Sequence, residues 1–179
     1  MTTVAQHFDV TIIGGGLVGA TLACALSESE SGQQLKIAIV DPQDLSSIKP
    51  LSPNDDFDVR VSAITRASQH IFEAIDVWPA MAAQRISPFR DMHVWEQAGH
   101  SEIHFDSAVM NERQLGHIIE NSVILSSLYE KLKQQANVSF LFGEPCQSMQ
   151  LDNQQWHINI AGQTLQTQLL VGADGSQSW

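Results

Sequence analysis

The feature that most restricts what this chain can fold into lies near its N-terminus, Asp9-Val-Thr-Ile-Ile-Gly-Gly-Gly-Leu-Val-Gly-Ala-Thr-Leu-Ala-Cys-Ala-Leu26. Val10 to Ile13 is uncharged and β-branched, the pattern of a strand covered on both faces of a parallel sheet. Gly14, Gly16 and Gly19 follow on the spacing G-x-G-x-x-G, with Gly15 between the first two, and Leu17 to Leu26 reads as an apolar, Ala-rich helix. Such a turn uses its glycines in three ways: a sharp exit from the strand, close approach of backbone N–H groups to a pyrophosphate, and tight packing of helix on strand. The helix N-terminus adds about half a positive charge facing the anion. A second strand, Leu35 to Val40, ends in Asp41, where a carboxylate accepts hydrogen bonds from the ribose hydroxyls of an adenosine. Strand, turn, helix, strand and acid in this order predict a dinucleotide site in an α/β fold. The competing reading is a glycine-rich turn in an α/β protein with no nucleotide.

The run from Val10 to Leu26 approaches the length of a membrane span. Asp9 abuts it, no Lys or Arg precedes it, and three consecutive glycines suit a turn, so neither a transmembrane segment nor a signal peptide is expected. The chain of 179 residues makes one domain, or one domain and part of another, and at 43% hydrophobic it can bury a core. A net charge of −11 argues against nucleic acid and gives no attraction to anionic lipid. Cys24 and Cys146 form no metal or redox spacing; Cys24 reads as a small core residue, and a reducing, cytoplasmic compartment is expected.

After Asp41 a long Pro-, Ser- and Asp-rich loop leads to Asp58-Val-Arg-Val-Ser-Ala-Ile64, an extended piece with one arginine among apolar neighbours. Thr65 is placed to cap a helix over Arg66 to Ile75, with Ala67, Ile71, Ala74 and Ile75 at helical spacing, and a second short helix is expected from Pro79. Met92 to Glu96 and Glu102 to Asp106 read as an antiparallel hairpin, with Glu102, His104 and Asp106 opposite Ile103 and Phe105. Asn121 to Gln134 reads as a helix striped by Val123, Ile124, Leu128 and Leu132, and Val138 to Phe142 returns to the first sheet. Cys146 to Leu151, Trp156 to Ile160 and Thr164 to Thr167 alternate like a meander, and Leu169 to Ala173 reads as a final buried strand ending in Asp174-Gly175. His93, His100 and His104 match no ligand spacing and read as surface or hydrogen-bonded histidines, so no metal site is expected. The four tryptophans, Trp78, Trp95, Trp156 and Trp179, have no basic companions and read as core or interface residues.

On spacing alone the dinucleotide is NAD or FAD. Arg60 after its long loop offers a forked donor to phosphate, and Asp174-Gly175 ends a strand where open α/β sheets bind ligands. With Gly14-Gly-Gly-Leu-Val-Gly19, Asp58 to Ile64, Ile75-Asp-Val-Trp78, Leu115-Gly-His-Ile-Ile-Glu-Asn-Ser-Val123 and Val171-Gly-Ala-Asp-Gly-Ser176, the chain resembles the N-terminal part of group A, FAD-dependent aromatic hydroxylases. Within them it is most similar to the ubiquinone-biosynthesis ring hydroxylases. The second and fourth stretches are the most particular; in the third, relatives usually carry glycine where this chain has Asp76.

The resemblance implies an α/β fold: a Rossmann-like FAD-binding domain over 1–87 and 107–179, including the small meander at 146–167. Residues 88–106 would begin an antiparallel substrate-domain sheet. It implies that Gly14, Gly15, Gly16 and Gly19 hold the FAD pyrophosphate and Asp41 the adenosine ribose, that Arg60 lies beside the flavin and its phosphates, and that Asp174 and Gly175 face the ribityl chain. Asn121 is counted with the cofactor residues, although many relatives have arginine there. The implied reaction is hydroxylation of a polyprenylated phenol by O2 on a reduced flavin, with NAD(P)H as reductant. No catalytic side chain is assigned, because the cofactor carries the hard step. Other ubiquinone-biosynthesis proteins are implied partners, and the inner membrane an implied peripheral location. Relatives carry a second Gly-Asp motif and further substrate domain beyond the point where this chain stops, so the expectation is a fragment or truncated product not active in isolation. The alternatives are an NAD(P)-dependent dehydrogenase and a non-catalytic truncated assembly subunit.

Overall fold

A computed structural model describes residues 5–52 and 54–175; Ser176 and Trp179, both singled out above, lie outside them. The elements in chain order are β1 (Gln6–Ile13), α1 (Leu17–Glu28), a 3-10 turn (Gly32–Gln34), β2 (Ile37–Asp41), β3 (Val61–Thr65), α2 (Arg66–Ala74), α3 (Trp78–Ala82), β4 (Ile86–Phe89), β5 (Asp91–Trp95), β6 (Glu102–Asp106), β7 (Gly116–Glu120), α4 (Asn121–Leu132), β8 (Val138–Phe142), β9 (Cys146–Asp152), β10 (Gln155–Ile160) and β11 (Gln163–Gly172). They fall into two compact units: the chain up to Lys49 together with the chain from Leu128 onward, and Pro50–Ser127.

The first unit is built on a six-stranded sheet of order β8-β2-β1-β11-β10-β9. β8, β2, β1 and β11 are parallel neighbours, whereas β10 runs antiparallel to both β11 and β9. In the parallel part every residue of Val10–Ile13 and Ile37–Val40 is buried. That is why those runs carry no polar alternation. α1 buries Gly19, Ala20, Ala23, Cys24 and Ser27, small residues that let a helix lie close on a sheet. Ile13, Val40, Cys146, Ile158, Ile160 and Leu165 form a second cluster. Each such side chain contributes about 1.5–3 kcal/mol by leaving water.

One expectation about this sheet is corrected. Thr164–Thr167 and Leu169–Ala173 are not two elements, because β11 runs unbroken from Gln163 to Gly172. Its first half pairs with β10, Trp156 opposite Thr167, while nearly its whole length pairs with β1, from Gln6 opposite Leu165 to Ile13 opposite Gly172. The sequence pattern changes from alternating to continuously apolar where the neighbours change. That change of period imitates a break in the backbone.

The second unit holds a three-stranded antiparallel sheet, β3-β7-β4, and the separate hairpin β5-β6. The sequence reading did not assign β4 or β7. β4 contains Pro88, which suits an edge strand but weakens its signature, and β7 passes from Glu120 to the first helical residue, Asn121, with no turn between them. α2 starts as expected, with the Thr65 side chain accepting from Ser68 N at 3.3 Å. It ends in a Schellman motif: Asp76 N donates to Glu73 O at 3.0 Å and Val77 N to Phe72 O at 2.9 Å, with Asp76 left-handed at φ 54°. Of the expected stripe only Ile75 is buried; Ala67 and Ala74 are exposed, Ile71 is half exposed, and Phe72 fills the buried side of α2 instead. A ring filling the core outweighs alanines of the same period.

In the hairpin Met92 faces Phe105 and Val94 faces Ile103, giving one wholly apolar face. The other carries Asp91, His93, Trp95, Glu102, His104 and Asp106. Of the two readings given for the tryptophans, core or interface, Trp95 does not take the first: it lies on the polar face, 68% exposed, beside the His93 ring. Among the described residues no helix is long and apolar enough to cross a membrane.

Candidate dinucleotide-binding site

The glycine turn is held from both neighbouring strands: Gly14 N donates to Val40 O and Ala173 N to Ile13 O, each at 2.7 Å. Gly14 has φ +105°, and a Cβ there would run into the Ala173–Asp174 peptide, so two constraints require glycine at once. A Cβ on Gly19 would land on the Gly14 carbonyl oxygen, so the third glycine is where helix meets turn. Gly16 is different. It is the N-cap of α1 with ordinary extended backbone, and nothing lies within 4 Å of where its Cβ would stand. No side chain caps the helix, and its first turn contains no acidic residue. An uncapped helix start with open space above the N-cap backbone fits a diphosphate.

Asp41 braces the turn. Its Oδ2 accepts from Gly15 N at 2.7 Å and its Oδ1 from Gln43 N at 2.9 Å. A carboxylate has about four acceptor positions, so two stay available to ligand hydroxyls. Tyr129, which the sequence reading passed over, donates its hydroxyl to Gly15 O at 2.8 Å. Burial, with the Asp41 charge adding, pushes the Tyr129 phenol well above its usual range, so it remains a donor. The only signal for it was that this is the chain's single tyrosine, on the buried stripe of α4. Asp174 follows β11, half-buried, and Gly175 has φ +79°. Burial raises the Cys146 thiol, and the Asp174 charge raises it further. Burial likewise pushes Cys24 up to about 12, leaving an inert thiol in the core.

Arg60 and Asn121, both in the second unit, are brought together. Asn121 N donates to Arg60 O at 2.9 Å, and the Asn121 side-chain oxygen accepts from Ser62 Oγ at 2.7 Å. Arg60 N donates to Asp58 Oδ1 at 2.9 Å, and this bond is the main cause holding the Asp58 carboxyl below its usual range. Arg60 itself is exposed. In the hairpin, His93 and His104 are direct cross-strand neighbours despite their spacing in sequence. Each lies near a carboxylate: His93 is 3.2 Å from Glu102 and His104 3.3 Å from Asp91. Among the described residues no group of three His, Cys, Asp or Glu is disposed to hold a metal ion.

No protein-family model matches the chain. Among curated proteins it is 30% identical over 96% of its length to the mitochondrial ubiquinone biosynthesis monooxygenase COQ6 of Dictyostelium discoideum, covering 38% of that protein. The human COQ6 is 33% identical over 96% of the chain, again with 38% of the relative covered. The Escherichia coli 3-demethoxyubiquinol 3-hydroxylase is 27% identical over 97% of the chain and 42% of the relative. The chain thus spans about two fifths of the length of the curated relatives it matches. Among solved structures, the fold matches a mutant of PqsL from P. aeruginosa at TM-score 0.72 and 22% identity, covering 97% of this chain and 44% of that one. It also matches the flavin-dependent monooxygenase PieE, solved with FAD and substrate, at TM-score 0.71 and 17% identity, covering 96% of this chain and 31% of that one. Along nearly its whole length the chain is thus similar to the N-terminal portion of ubiquinone-biosynthesis monooxygenases, and its fold is that of flavin monooxygenases.

Proposed function

We propose that this chain is the FAD-binding portion of a monooxygenase that hydroxylates the aromatic ring of a polyprenylated phenol in ubiquinone biosynthesis. The observation that carries this reading is the uncapped start of α1 above an open Gly16, beside the Asp41 carboxylate that accepts from Gly15 N. Gly14, Gly15, Gly16 and Gly19 hold the pyrophosphate through backbone N–H groups, and Asp41 accepts from the adenosine ribose while bracing the turn. Asp174 and Gly175 serve the ribityl side, Arg60 offers a forked donor to phosphate and flavin, and Asn121 fixes the backbone that carries Arg60. When bound, FAD supplies the activation of O2 and the oxygen transfer, with electrons from NAD(P)H. The residues of this chain bind, orient and exclude water, and none is assigned as an acid, base or nucleophile. Residues 88–106 begin the substrate-domain sheet, and the FAD-binding domain takes 1–87 and 107–179. The two buried free cysteines suit a reducing compartment, and a prenylated substrate suits work at the surface of the inner membrane, beside other proteins of the same biosynthesis.

The test is a titration of the protein with FAD, ADP and NAD+. FAD is expected to bind more tightly than NAD+, and Gly16→Val to weaken FAD by about tenfold or more because its side chain fills the diphosphate space. Asp41→Asn is expected to weaken ADP by roughly 1–3 kcal/mol. Tight NAD+ binding with no FAD binding would overturn the proposal in favour of a dehydrogenase. Incorporation of oxygen-18 from O2 into a prenylphenol ring tests the reaction itself.

A further inference from the structure

Glu120 is a carboxylate in the interior of the second unit, only 6% exposed, and no role in binding or chemistry has been given to it. It closes β7 and faces two partners. Arg85 Nε lies 3.0 Å from its Oε1 and Arg85 Nη2 lies 3.2 Å from its Oε2. The same Oε2 accepts from the backbone N of Asp58 at 2.6 Å. Arg85 reaches onward: Nη1 donates to Asp55 O at 2.7 Å, Nη2 to Asp56 O at 3.2 Å, and its guanidinium stacks 4.5 Å over the Phe57 ring. One ion pair therefore grips four consecutive residues, Asp55 to Asp58, of which Asp55 is also tied to Ser52 through its carboxylate and its backbone N. Phe57 is 77% exposed and Val59 95% exposed, so this stretch is not pinned by apolar burial. The Asp58 carboxylate then accepts from Arg60 N, and Arg60 O accepts from Asn121 N.

A buried ion pair is a poor source of net stability, since desolvation offsets most of its attraction, but it is a strong constraint on geometry. We propose that Glu120 and Arg85 are positioning residues whose task is to fix the Asp55–Arg60 backbone and so present Arg60 in one conformation. The arrangement suits arginine specifically. Its planar fork bonds a carboxylate and two carbonyls at once, which a lysine ammonium does with less directional control. Beside the pair opens a cleft of about 560 Å³ walled by Phe57, Val61, Ile86 and Ile118, so the grip borders open space rather than packed core. The purpose assigned to this grip, delivery of Arg60 to an anionic cofactor, rests on the reading in the preceding subsection; the grip itself does not.

Hydrogen exchange on the whole chain, read on peptides covering residues 54–60, separates the two. Arg85→Met is expected to speed exchange there by about tenfold or more while leaving β3 and β7 protected, as a local opening does. Arg85→Lys should recover part of that protection, and Glu120→Gln, which keeps an acceptor for Asp58 N, should lose less than Arg85→Met. Arg66→Met, breaking the pair with Glu112 in the same unit, is the control and should leave these peptides unchanged. FAD titrations complete the test: Arg85→Met should weaken FAD, and Arg60→Ala combined with Arg85→Met should be no weaker than Arg60→Ala alone. Unchanged exchange at 54–60 in Arg85→Met overturns the proposal. So does additivity of the two affinity losses. Faster exchange with FAD affinity indifferent to Arg60→Ala leaves the grip standing and removes Arg60 from the cofactor site instead.

Discussion

The parallel sheet of the first unit and the β5-β6 hairpin of the second are both made of short β-branched and aromatic runs, yet they treat apolar side chains in opposite ways. Ile12, Ile37 and Ile39 are wholly buried, whereas Val94, Ile103 and Phe105 are 50%, 57% and 45% exposed. A parallel strand inside an α/β layer is covered on both faces, so each substitution is felt by a packed neighbour. An isolated hairpin stacks one row of apolar side chains only on itself. The same residue type thus carries structural weight in one region and little in the other.

The largest expected effect tests that contrast directly. Ile39→Ala should cost about 2–5 kcal/mol in chemical denaturation, and Ile103→Ala less than about 0.5 kcal/mol. Equal losses would mean that the hairpin is as firmly packed as the sheet. Next comes the turn, where tolerance should change between glycines only three positions apart. Gly19→Ala should destabilise by about 1–3 kcal/mol through its clash with the Gly14 carbonyl, and Gly16→Ala by about 0.5 kcal/mol or less. In the second unit the sign reverses: Asp76→Gly should stabilise by about 0.5–1 kcal/mol, relieving the left-handed residue that ends α2. The smallest effect concerns His117, buried against the Trp78 ring at 5.1 Å. Burial lowers its pKa below the ordinary 6.5, so the unfolded chain takes up the proton first. Stability should therefore fall as pH drops below about 6.5, and His117→Gln should flatten that part of the profile. A profile unchanged by the substitution would show that His117 is not desolvated by folding.

Much of this fold is legible in the sequence because local and global signals agree. The glycine turn, its two strands and the Asp41 terminus announce themselves by residue type, and Thr65 is a helix cap by its chemistry alone. The misses have physical causes. β7 and α4 share a peptide bond with no turn residue to mark the change, and β11 changes neighbours without changing direction. Trp95, read as core or interface for want of basic companions, is kept out of the core by its strand position, which puts it on the polar face. At the candidate site the glycines could be read but their braces could not. Tyr129 reaches Gly15 from 114 residues away, and Arg85 reaches Glu120 from 35. No periodicity encodes a long-range hydrogen bond.

The neighbour of β1 also sets the order in which this molecule can be completed. The glycine turn precedes the second unit in the chain, but Ala173, which closes one side of it, follows the whole of that unit. Until then β1 can pair only with β2, and the glycine turn is an open bend with one wall. Bringing its other wall in means closing a very long loop, a step that slows folding more than it costs stability. During synthesis the second unit, whose contacts are closer in sequence, has time to form first. A turn made before the second unit is then completed only after it.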